Sequence, residues 1–291
     1  MTNTVLITGI TGTLGREVLN VLQNGFAFEG LQIYGIARDE QKLRLVPHHD
    51  HLRLALCDIR DKEALEELAD TLARVDKIFH FAALKCVDSL ENFPMEAFKT
   101  NILGTRNILS FAKKVACKKV IFTSTDKAVH PINAYGMTKA LAEKLVLRAS
   151  HANVVCRYGN ILGSRGSFLP NLVKSLKDER VAYLTHKDMT RFWMTIDSAA
   201  RFVVNCGFAK TTGLCVPPNL KSASILTLID VVAELLDIKD YEVKRVGIRA
   251  GEKIHETLYL PGEFESEEAI SSSDRFLMIR DELKEMLRPI L

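Results

Sequence analysis

The first 150 residues alternate between short apolar segments and longer segments with apolar residues at helical spacing. Segment 4–8 is a β-branched apolar run that stops at glycine, and segment 13–23 places leucine and valine three or four positions apart. Further strands are predicted at 31–36, 77–81 and 119–123, and further helices at 61–72, 94–116 and 133–149. Because parallel strands need crossover connections, this alternation predicts an α/β fold with a doubly wound parallel sheet and helices on both faces.

Past Arg157 the pattern becomes less regular. Glycine-rich loops follow, with predicted helices at 170–177 and 226–236. Since no Gly/Ser-rich or Pro-rich linker separates the halves, we expect a dinucleotide-binding domain over 1–158 that is interleaved with a smaller part, mainly 159–291, that binds substrate.

Composition excludes several classes of protein. Hydrophobic residues make up 47% and charged residues 26% of the 291-residue chain, which is typical of a folded globular protein. The net charge is +3 without a basic block, so we expect no nucleic-acid partner. No apolar stretch reaches the roughly 18 residues that a membrane span needs, and no signal peptide is evident, so a cytoplasmic protein with no membrane partner is expected.

Cysteine and histidine usage favours neither disulfides nor a metal. The six cysteines form no CxxC pair, and we expect them to be reduced residues of the core. The cluster at 48–51 (HHDH) lies in a polar connection with no second cluster, so no metal site is predicted.

A glycine loop joins the first predicted strand to the first predicted helix. Its GxxGxxG pattern allows a tight turn and close approach of a pyrophosphate, whose charge is favoured at the helix N-terminus. This position in a strand–loop–helix unit predicts a Rossmann-type dinucleotide site rather than glycines that only punctuate a turn. The candidate cofactor-binding residues of the loop are Gly9, Thr11, Gly12, Thr13, Leu14 and Gly15.

The end of the second predicted strand bears on the choice of cofactor. Arg38 stands where an acidic residue binds the ribose 2′-hydroxyl of NAD, and an arginine there favours the 2′-phosphate of NADP. Asp39 leaves NAD open, and Arg38 alternatively is a solvated side chain. Asp58 and Ile59 follow the apolar run 52–56, where such folds contact adenine, although an aspartate there also caps helices.

A tyrosine and a lysine four positions apart form the candidate catalytic pair. Tyr135 and Lys139 share one face of the predicted helix 133–149, which follows the Ser124-Thr125 pair at a strand end. A nearby ammonium lowers the pKa of a phenol, which makes Tyr135 a usable base for removing a hydroxyl proton during hydride transfer. An isolated YxxxK pattern is common, but this context favours catalysis.

Nine short motifs resemble those of one enzyme family. They are TGITGTLG (8–15), HFAALK (80–85), TNILGT (100–105), STDKA (124–128), YGMTK (135–139), RYGN (157–160), GSRGS (163–167), MTRF (189–192) and GEKIHE (251–256). The chain resembles an extended short-chain dehydrogenase/reductase and, more narrowly, the soluble, inverting UDP-N-acetylglucosamine 4,6-dehydratases of pseudaminic acid and polysaccharide biosynthesis. The glycine loop and YxxxK are generic to the superfamily, whereas the Asp126-Lys127 pair and the later motifs are narrower.

The resemblance implies catalytic roles for five residues. Tyr135, next to Lys139, takes the proton of the sugar 4-hydroxyl while hydride passes from carbon 4 to NADP. Lys127 then removes the proton on carbon 5, Asp126 donates a proton to the departing 6-hydroxyl, and hydride returns to carbon 6. Thr125 hydrogen-bonds the 4-hydroxyl. The alternative for Asp126 and Lys127 is an ion pair at the surface beside a turn.

The resemblance also implies binding residues and an assembly. Those near the cofactor are Ala82, Ala83 and Lys85, and those near the UDP-sugar are Lys85, Thr125, Asn160, Arg165, Arg191 and Glu252. Each of the last four alternatively forms an ion pair within a loop. A homo-oligomer is implied through the predicted helices 94–116 and 133–149.

The sequence departs from the family pattern at Ile10, where glycine is commoner, at Cys86, where relatives carry histidine, and in its shorter length. Two other functions remain open. A nucleotide-sugar 4-epimerase shares Tyr135 and Lys139 but does not need the Asp126-Lys127 pair. A non-catalytic NADP-binding regulator on the same fold is the alternative outside enzymes.

Overall fold

The computed structural model describes residues 3–25, 30–264, 269–273 and 277–291. The strands are β1 (Asn3–Thr8), β2 (Leu31–Ala37), β3 (Leu52–Leu56), β4 (Lys77–His80), β5 (Lys119–Thr125), β6 (Val154–Tyr158), β7 (Asn160–Ile161), β8 (Val181–Leu184), β9 (Thr190–Met194), β10 (Gly213–Cys215), β11 (Lys221–Ser224), β12 (Glu242–Arg245), β13 (Thr257–Tyr259) and β14 (Ile270–Ser271). The α-helices are α1 (Thr13–Asn24), α2 (Glu40–Arg44), α3 (Lys62–Leu72), α4 (Val87–Asn92), α5 (Pro94–Ala97), α6 (Thr105–Lys114), α7 (Ala134–Ala149), α8 (Phe168–Glu179), α9 (Ile196–Phe208), α10 (Ile225–Leu235) and α11 (Arg280–Leu287). A π-helical segment covers Phe98–Gly104, and a 3₁₀ turn covers Asp126–Ala128.

Seven parallel strands form the central sheet in the order β10-β6-β5-β4-β1-β2-β3. Side chains alternate between its two faces, as the two-residue period of a strand requires. Val5 and Ile7 of β1 pack in the core shared with α1 and α9, and Leu6 packs in the core shared with α3 and α6. The predicted Rossmann-type, doubly wound sheet is therefore confirmed.

The C-terminal half contributes directly to this sheet. Strand β10 pairs with β6 along 213–215, and α9 packs against α1 and β5. The remaining elements form a second core from α8, α10, α11, β8 and β9, in which Trp193 and Leu228 are buried. Small sheets support this part, in the orders β11-β9-β7, β12-β8 and β13-β14. The two halves of the chain are thus interleaved through the central sheet.

The predicted helix 94–116 is interrupted. Pro94 begins α5, as expected for a residue without a backbone N–H, but residues 98–104 form a π-helical segment before α6. Asn101 lies in this wider helical turn, and its side chain forms two hydrogen bonds with the backbone of Leu84, at 2.9 and 3.0 Å. Helical periodicity alone does not distinguish such a turn from an ordinary α-helix, so the prediction of one regular helix was wrong.

The cysteines are free thiols, but they do not all lie in the core. Cys57, Cys156, Cys206 and Cys215 are buried, Cys117 is half-buried and Cys86 is exposed. Cys86 precedes α4 in a loop beside a cavity, which explains why the expectation of burial was wrong for this residue. Within the described ranges, the helices are too short or too polar to cross a bilayer.

Candidate active site

The glycine loop after β1 is packed closely against the loop that follows β4. Gly9 has φ +69°, and a Cβ there would lie only 2.8 Å from the backbone nitrogen of Ala82. Only glycine therefore fits, and the loop presents backbone to the adjoining space. A cavity of about 280 Å³ here brings together eight of the predicted cofactor residues, namely Gly9, Thr11, Gly12, Arg38, Asp58, Ile59, Ala82 and Ala83. These residues fit the adenosine and pyrophosphate of a dinucleotide.

A buried histidine holds these two loops together. His80 Nδ1 lies 2.7 Å from the Thr8 hydroxyl, and Nε2 lies 3.0 Å from the Thr105 hydroxyl. The Thr105 hydroxyl donates to the carbonyl of Asn101, and the Thr8 hydroxyl accepts from the backbone of Phe81 and Ala82. Each hydroxyl has one proton, so His80 is neutral with its proton on Nε2. Burial, with a smaller effect from Lys139, lowers the pKa of His80 to about 3.

A second cavity of about 510 Å³ adjoins the first at Gly9 and Gly12. It is the place where the remaining loop residues meet four of the five predicted catalytic residues, because the fully buried Asp126 is not among the lining residues. Its predicted lining residues are Thr13, Leu14, Gly15, Lys85, Thr125, Lys127, Tyr135, Lys139, Asn160 and Arg165. The residues predicted to bind the cofactor and those predicted to bind the sugar therefore line one continuous region at the carboxyl ends of the parallel strands.

Tyr135 and Lys139 lie on the first two turns of α7. Asn133 caps this helix by accepting from the backbone nitrogen of Gly136 at 2.7 Å. Burial raises the pKa of Tyr135 to about 12, and the cation that opposes this effect is Lys127. Lys139 lies with Nζ 3.8 Å from the centroid of the Phe122 ring, and burial lowers its pKa to about 7. The charge of Lys127 thus favours the ionised form of Tyr135, and the same effect from Lys139 stays a prediction.

Helix α7 is tied to the C-terminal half by a buried arginine. Arg157 of β6 binds Glu143 at 2.7 Å, and Glu143 lies one helical turn beyond Lys139. The same guanidinium binds Glu263 at 2.8 Å. The ion pairs hold α7, the sheet and the segment after β13 in one arrangement.

Asp126 and Lys127 form part of a buried charge cluster. Lys127 Nζ lies 3.0 Å from Asp126 Oδ1, 3.1 Å from Asn160 Oδ1 and 3.5 Å from Glu256 Oε1. Asp126 is completely buried, and its Oδ2 has no hydrogen-bond partner. The pair is therefore not the surface ion pair that remained as an alternative.

The cluster shifts the pKa values of its members in different directions. Burial raises the pKa of Asp126, and the nearby Glu256 acts in the same direction against Lys127. Burial lowers the pKa of Lys127, but Asp126 and Glu256 outweigh it and the net shift is upward. For Glu256, burial is outweighed by Lys127, Arg191 and Lys253, which hold its pKa below the usual range. Relative to free carboxyl groups, the cluster therefore favours the protonated form of Asp126 and the ionised form of Glu256.

Two residues predicted to bind substrate are not among the described residues that line the larger cavity. Arg191 is buried and donates to the carbonyls of Thr190, Lys253 and Ile254. Glu252 accepts from the backbone nitrogen of Arg249 at 3.2 Å. Arg191 thus braces the segment that carries Lys253 and Glu256.

Arg165 packs against the glycine loop. Its guanidinium donates to the carbonyl of Thr11, and its backbone nitrogen donates to the Thr13 hydroxyl at 3.3 Å. Lys85 donates to the Ser164 hydroxyl at 3.3 Å. Both cations therefore lie where the two cavities meet.

The sequence reasoning missed Glu256, Lys253, His80 and Asn101. The first two belong to the quoted GEKIHE motif, which was the available signal, but only Glu252 was chosen from it. Among the described residues, no group of three or more His, Cys, Asp or Glu side chains is arranged to hold a metal ion.

The sequence matches the profile of a family described as polysaccharide biosynthesis protein over residues 5–277. The chain belongs to this family. It is 38% identical over 276 residues to an uncharacterised membrane protein of Methanocaldococcus jannaschii, covering 89% of this chain and 81% of that one. It is 36% identical over 266 residues to a UDP-glucose 4-epimerase of Rickettsia conorii, covering 88% of this chain and 77% of the epimerase.

Several solved structures of other proteins have the same fold as this chain. Pen from Bacillus thuringiensis has a TM-score of 0.87 and 28% identity, covering 100% of this chain and 99% of Pen. A dTDP-glucose 4,6-dehydratase of Streptomyces venezuelae, with NAD bound, has a TM-score of 0.80 at 21% identity, covering 98% and 96%. A UDP-N-acetylglucosamine 4-epimerase of Methanobrevibacter ruminantium has a TM-score of 0.77 at 21% identity, covering 99% and 98%. The chain has the fold of extended short-chain dehydrogenase/reductase enzymes that act on nucleotide sugars.

Proposed function

We propose that this protein is a UDP-N-acetylglucosamine 4,6-dehydratase that inverts carbon 5 and forms a UDP-4-keto-6-deoxy sugar with bound NADP. The observation that carries the proposal is the completely buried Asp126, which accepts a hydrogen bond from Lys127, and Lys127 lines the cavity together with Tyr135. A 4-epimerase needs only a base at the 4-hydroxyl, whereas elimination of water needs a further acid and base. The buried pair provides both.

The reaction begins at Tyr135. Its phenolate oxygen takes the proton of the sugar 4-hydroxyl, and Lys127 stabilises the phenolate through its charge. Thr125 hydrogen-bonds Asp126 Oδ1 at 3.0 Å and lines the same cavity, so it orients the 4-hydroxyl. When bound, a nicotinamide cofactor held by Gly9, Gly12 and Arg38 would supply the hydride chemistry at carbons 4 and 6.

The elimination uses Asp126 and Lys127 together. Proton transfer across their hydrogen bond gives a neutral carboxylic acid and a neutral amine. The ketone at carbon 4 acidifies carbon 5, and the Lys127 amine removes that proton. The electron pair left on carbon 5 forms the double bond to carbon 6 as the C6–O bond breaks. Asp126 protonates the departing oxygen, so water leaves. Return of a proton to the opposite face of carbon 5 inverts it.

NADP is proposed over NAD because two cations line the adenosine cavity. Arg38 and Lys42 both border it, and they suit a 2′-phosphate. Asp39 opposes this preference, but its carboxylate is engaged by Lys42 at 2.5 Å and by the N-terminus of α2. The dTDP-glucose 4,6-dehydratase of similar fold holds NAD, which makes the preference a point for direct measurement.

The nucleotide and sugar are proposed from the cations and amides near the cavity. Lys85 and Arg165 suit phosphate oxygens, and Asn160 suits a sugar hydroxyl. Arg191 acts by holding the backbone at 253–254, and Glu252 lies on the same segment. We place 1–158 as the cofactor-binding domain and 159–291 as mainly substrate-binding.

A homo-oligomer and a cytoplasmic location complete the proposal. Phe93, Met95, Met137 and Leu141 are exposed apolar residues that surround the π-helical segment and α7, and a second copy of the chain would cover them. The free, buried Cys156 and Cys206 suit a reducing compartment.

The second candidate is a nucleotide-sugar 4-epimerase. It is favoured by the 36% identical Rickettsia conorii relative, which bears that name. Tyr135 and Lys139 suit both reactions, so the product must decide between them.

The test is incubation with UDP-N-acetylglucosamine in heavy water, followed by mass spectrometry and proton NMR. Loss of one water, a new methyl group and deuterium on carbon 5 are expected, with ring couplings of the inverted sugar. An isomer of unchanged composition would establish the epimerase instead. Cofactor binding without turnover of any UDP-sugar would leave the non-catalytic regulator.

A further inference from the structure

Glu256 is a buried carboxylate with no role in the proposed reaction. It is only 2% exposed and lies just before β13, more than a hundred residues from Lys127 in the sequence. Its Oε1 lies 3.5 Å from Lys127 Nζ, and its Oε2 lies 3.1 Å from Lys253 Nζ. Burying a carboxylate is unfavourable unless it is paired, so both contacts are needed to hold it there.

Three oxygen atoms surround Lys127 Nζ. They belong to Asp126, Asn160 and Glu256. An ammonium has three N–H bonds, and these acceptors match them in number. After proton transfer to Asp126, the amine has two N–H bonds and a lone pair. Asn160 and Glu256 then remain as acceptors for the two N–H bonds, and the lone pair points along the former N–H bond towards Asp126.

The charges of four members of the cluster, without Arg191, balance. Asp126 and Glu256 are the acids, and Lys127 and Lys253 are the bases. The other titratable groups that face them are Arg191 from β9 and Tyr135 from α7. With Glu256 ionised against Lys253, the single proton shared by Asp126 and Lys127 leaves these four groups neutral. Without the carboxylate, a positive charge is in excess and the shared proton is lost at lower pH.

We propose that Glu256 is a positioning residue whose charge retains the proton shared by Asp126 and Lys127. The inference rests on the proposed dehydratase function. The alternative is that Glu256 has only a structural role, as the partner of Lys253 in an ion pair. The two roles predict different results. If Glu256 and Lys253 only form a structural ion pair, removing either residue has the same effect. If their charges act on the shared proton, removing Glu256 and removing Lys253 shift the pH at which it is lost in opposite directions.

The experiment compares pH profiles of kcat for dehydration in the wild type, Glu256→Gln, Lys253→Gln and the double variant. The basic limb of the profile is the range in which kcat falls as pH rises. In Glu256→Gln this limb moves to lower pH by about one unit, so that kcat at a pH on the limb is about tenfold lower than in the wild type. In Lys253→Gln the limb moves to higher pH. The double variant returns it towards the wild-type position, and Glu256→Asp, which keeps the charge, moves it least. Shifts in the same direction for both single variants, or no shift, would overturn the proposal.

A second measurement separates this inference from the proposed function. Acetic anhydride acylates neutral amines, and Lys127 borders the cavity with 17% of its side chain exposed. Competitive labelling of the purified proteins across pH, read by mass spectrometry at Lys127, follows its protonation without any sugar. Glu256→Gln is expected to make Lys127 reactive at lower pH. An unchanged profile would refute the inference, whereas failure of the wild type to dehydrate the sugar would refute only the proposed function.

Discussion

The backbone carbonyl of Lys127 lies directly against Gly136, too close for any side chain at that position. Gly136 follows Tyr135 in the first turn of α7, and Lys127 belongs to the 3₁₀ turn after β5. This contact sets the separation between Tyr135 and Lys127, the two groups to which we assign proton transfer with the sugar. It also explains why a glycine stands in a helix, where it is otherwise unfavourable.

Gly136→Ala is therefore expected to separate Tyr135 from Lys127. The added methyl group must push the turn away, at a cost of about 1–3 kcal/mol in the free energy of unfolding. We expect kcat to fall by about a hundredfold in a protein that still folds, since small misplacements of catalytic groups have effects of this order. Kinetics and denaturant unfolding check this. Arg148→Ala, on the exposed end of the same helix, should change neither quantity.

Tyr135→Phe removes the base at the 4-hydroxyl. The expected loss in kcat is about a thousandfold, with little change in sugar binding, because general base catalysis contributes to the chemical step. Steady-state rates and calorimetric binding measure the two effects. Tyr183→Phe is the matched control, since its hydroxyl binds Glu179 at 2.7 Å on the surface. Equal activity in both variants would remove Tyr135 from the mechanism.

Asp126→Asn separates elimination of water from the steps before it. The amide cannot donate an acidic proton to the departing oxygen, so dehydration should fall by about a hundredfold or more. Oxidation at carbon 4 should persist and can be followed by the absorbance of reduced cofactor. A variant that keeps wild-type turnover would favour the 4-epimerase.

Arg38→Ala tests the choice of cofactor. Loss of a charge-assisted contact with the 2′-phosphate should weaken NADP binding by about tenfold and leave NAD binding nearly unchanged. Fluorescence titration of both cofactors measures the difference. Arg44→Ala, an exposed residue paired with Glu40 at the end of α2, serves as control. Parallel changes for the two cofactors would argue against NADP selectivity.

His80 makes stability depend on pH. The unfolded chain binds a proton there near pH 6.5, whereas burial lowers the pKa in the folded chain to about 3. Between these values the unfolded state binds more protons, so the free energy of unfolding falls as pH decreases, by about 1.4 kcal/mol per unit. Urea titrations between pH 7 and 4 measure this slope. His80→Phe should be less stable at pH 7 and should lose this contribution to the slope.

The predictable parts of the fold and the site are those with local signals. The two-residue and 3.6-residue periods predicted most of the central sheet and helices. The glycine loop around Gly9 and the four-residue step from Tyr135 to Lys139 are equally local, and the structure brings these groups to one region.

The missed features depend on distant contacts. Glu256 reaches Lys127 only in the folded chain, so the GEKIHE motif indicates its position but not its partner. The π-helical turn at Asn101 follows from a bond to Leu84, which the helical period does not reveal. Strand β10 has only three residues, too few for a recognisable pattern.

That short strand has a consequence for synthesis of the chain on the ribosome. β6 gains its outer neighbour only when residues 213–215 have emerged, long after the glycine loop and Tyr135. Until then the edge of β6 is open to pairing with another strand. Translation must therefore proceed well past Tyr135 before the central sheet can be completed, and in a nascent chain stalled before residue 213 this edge of β6 stays open to aggregation.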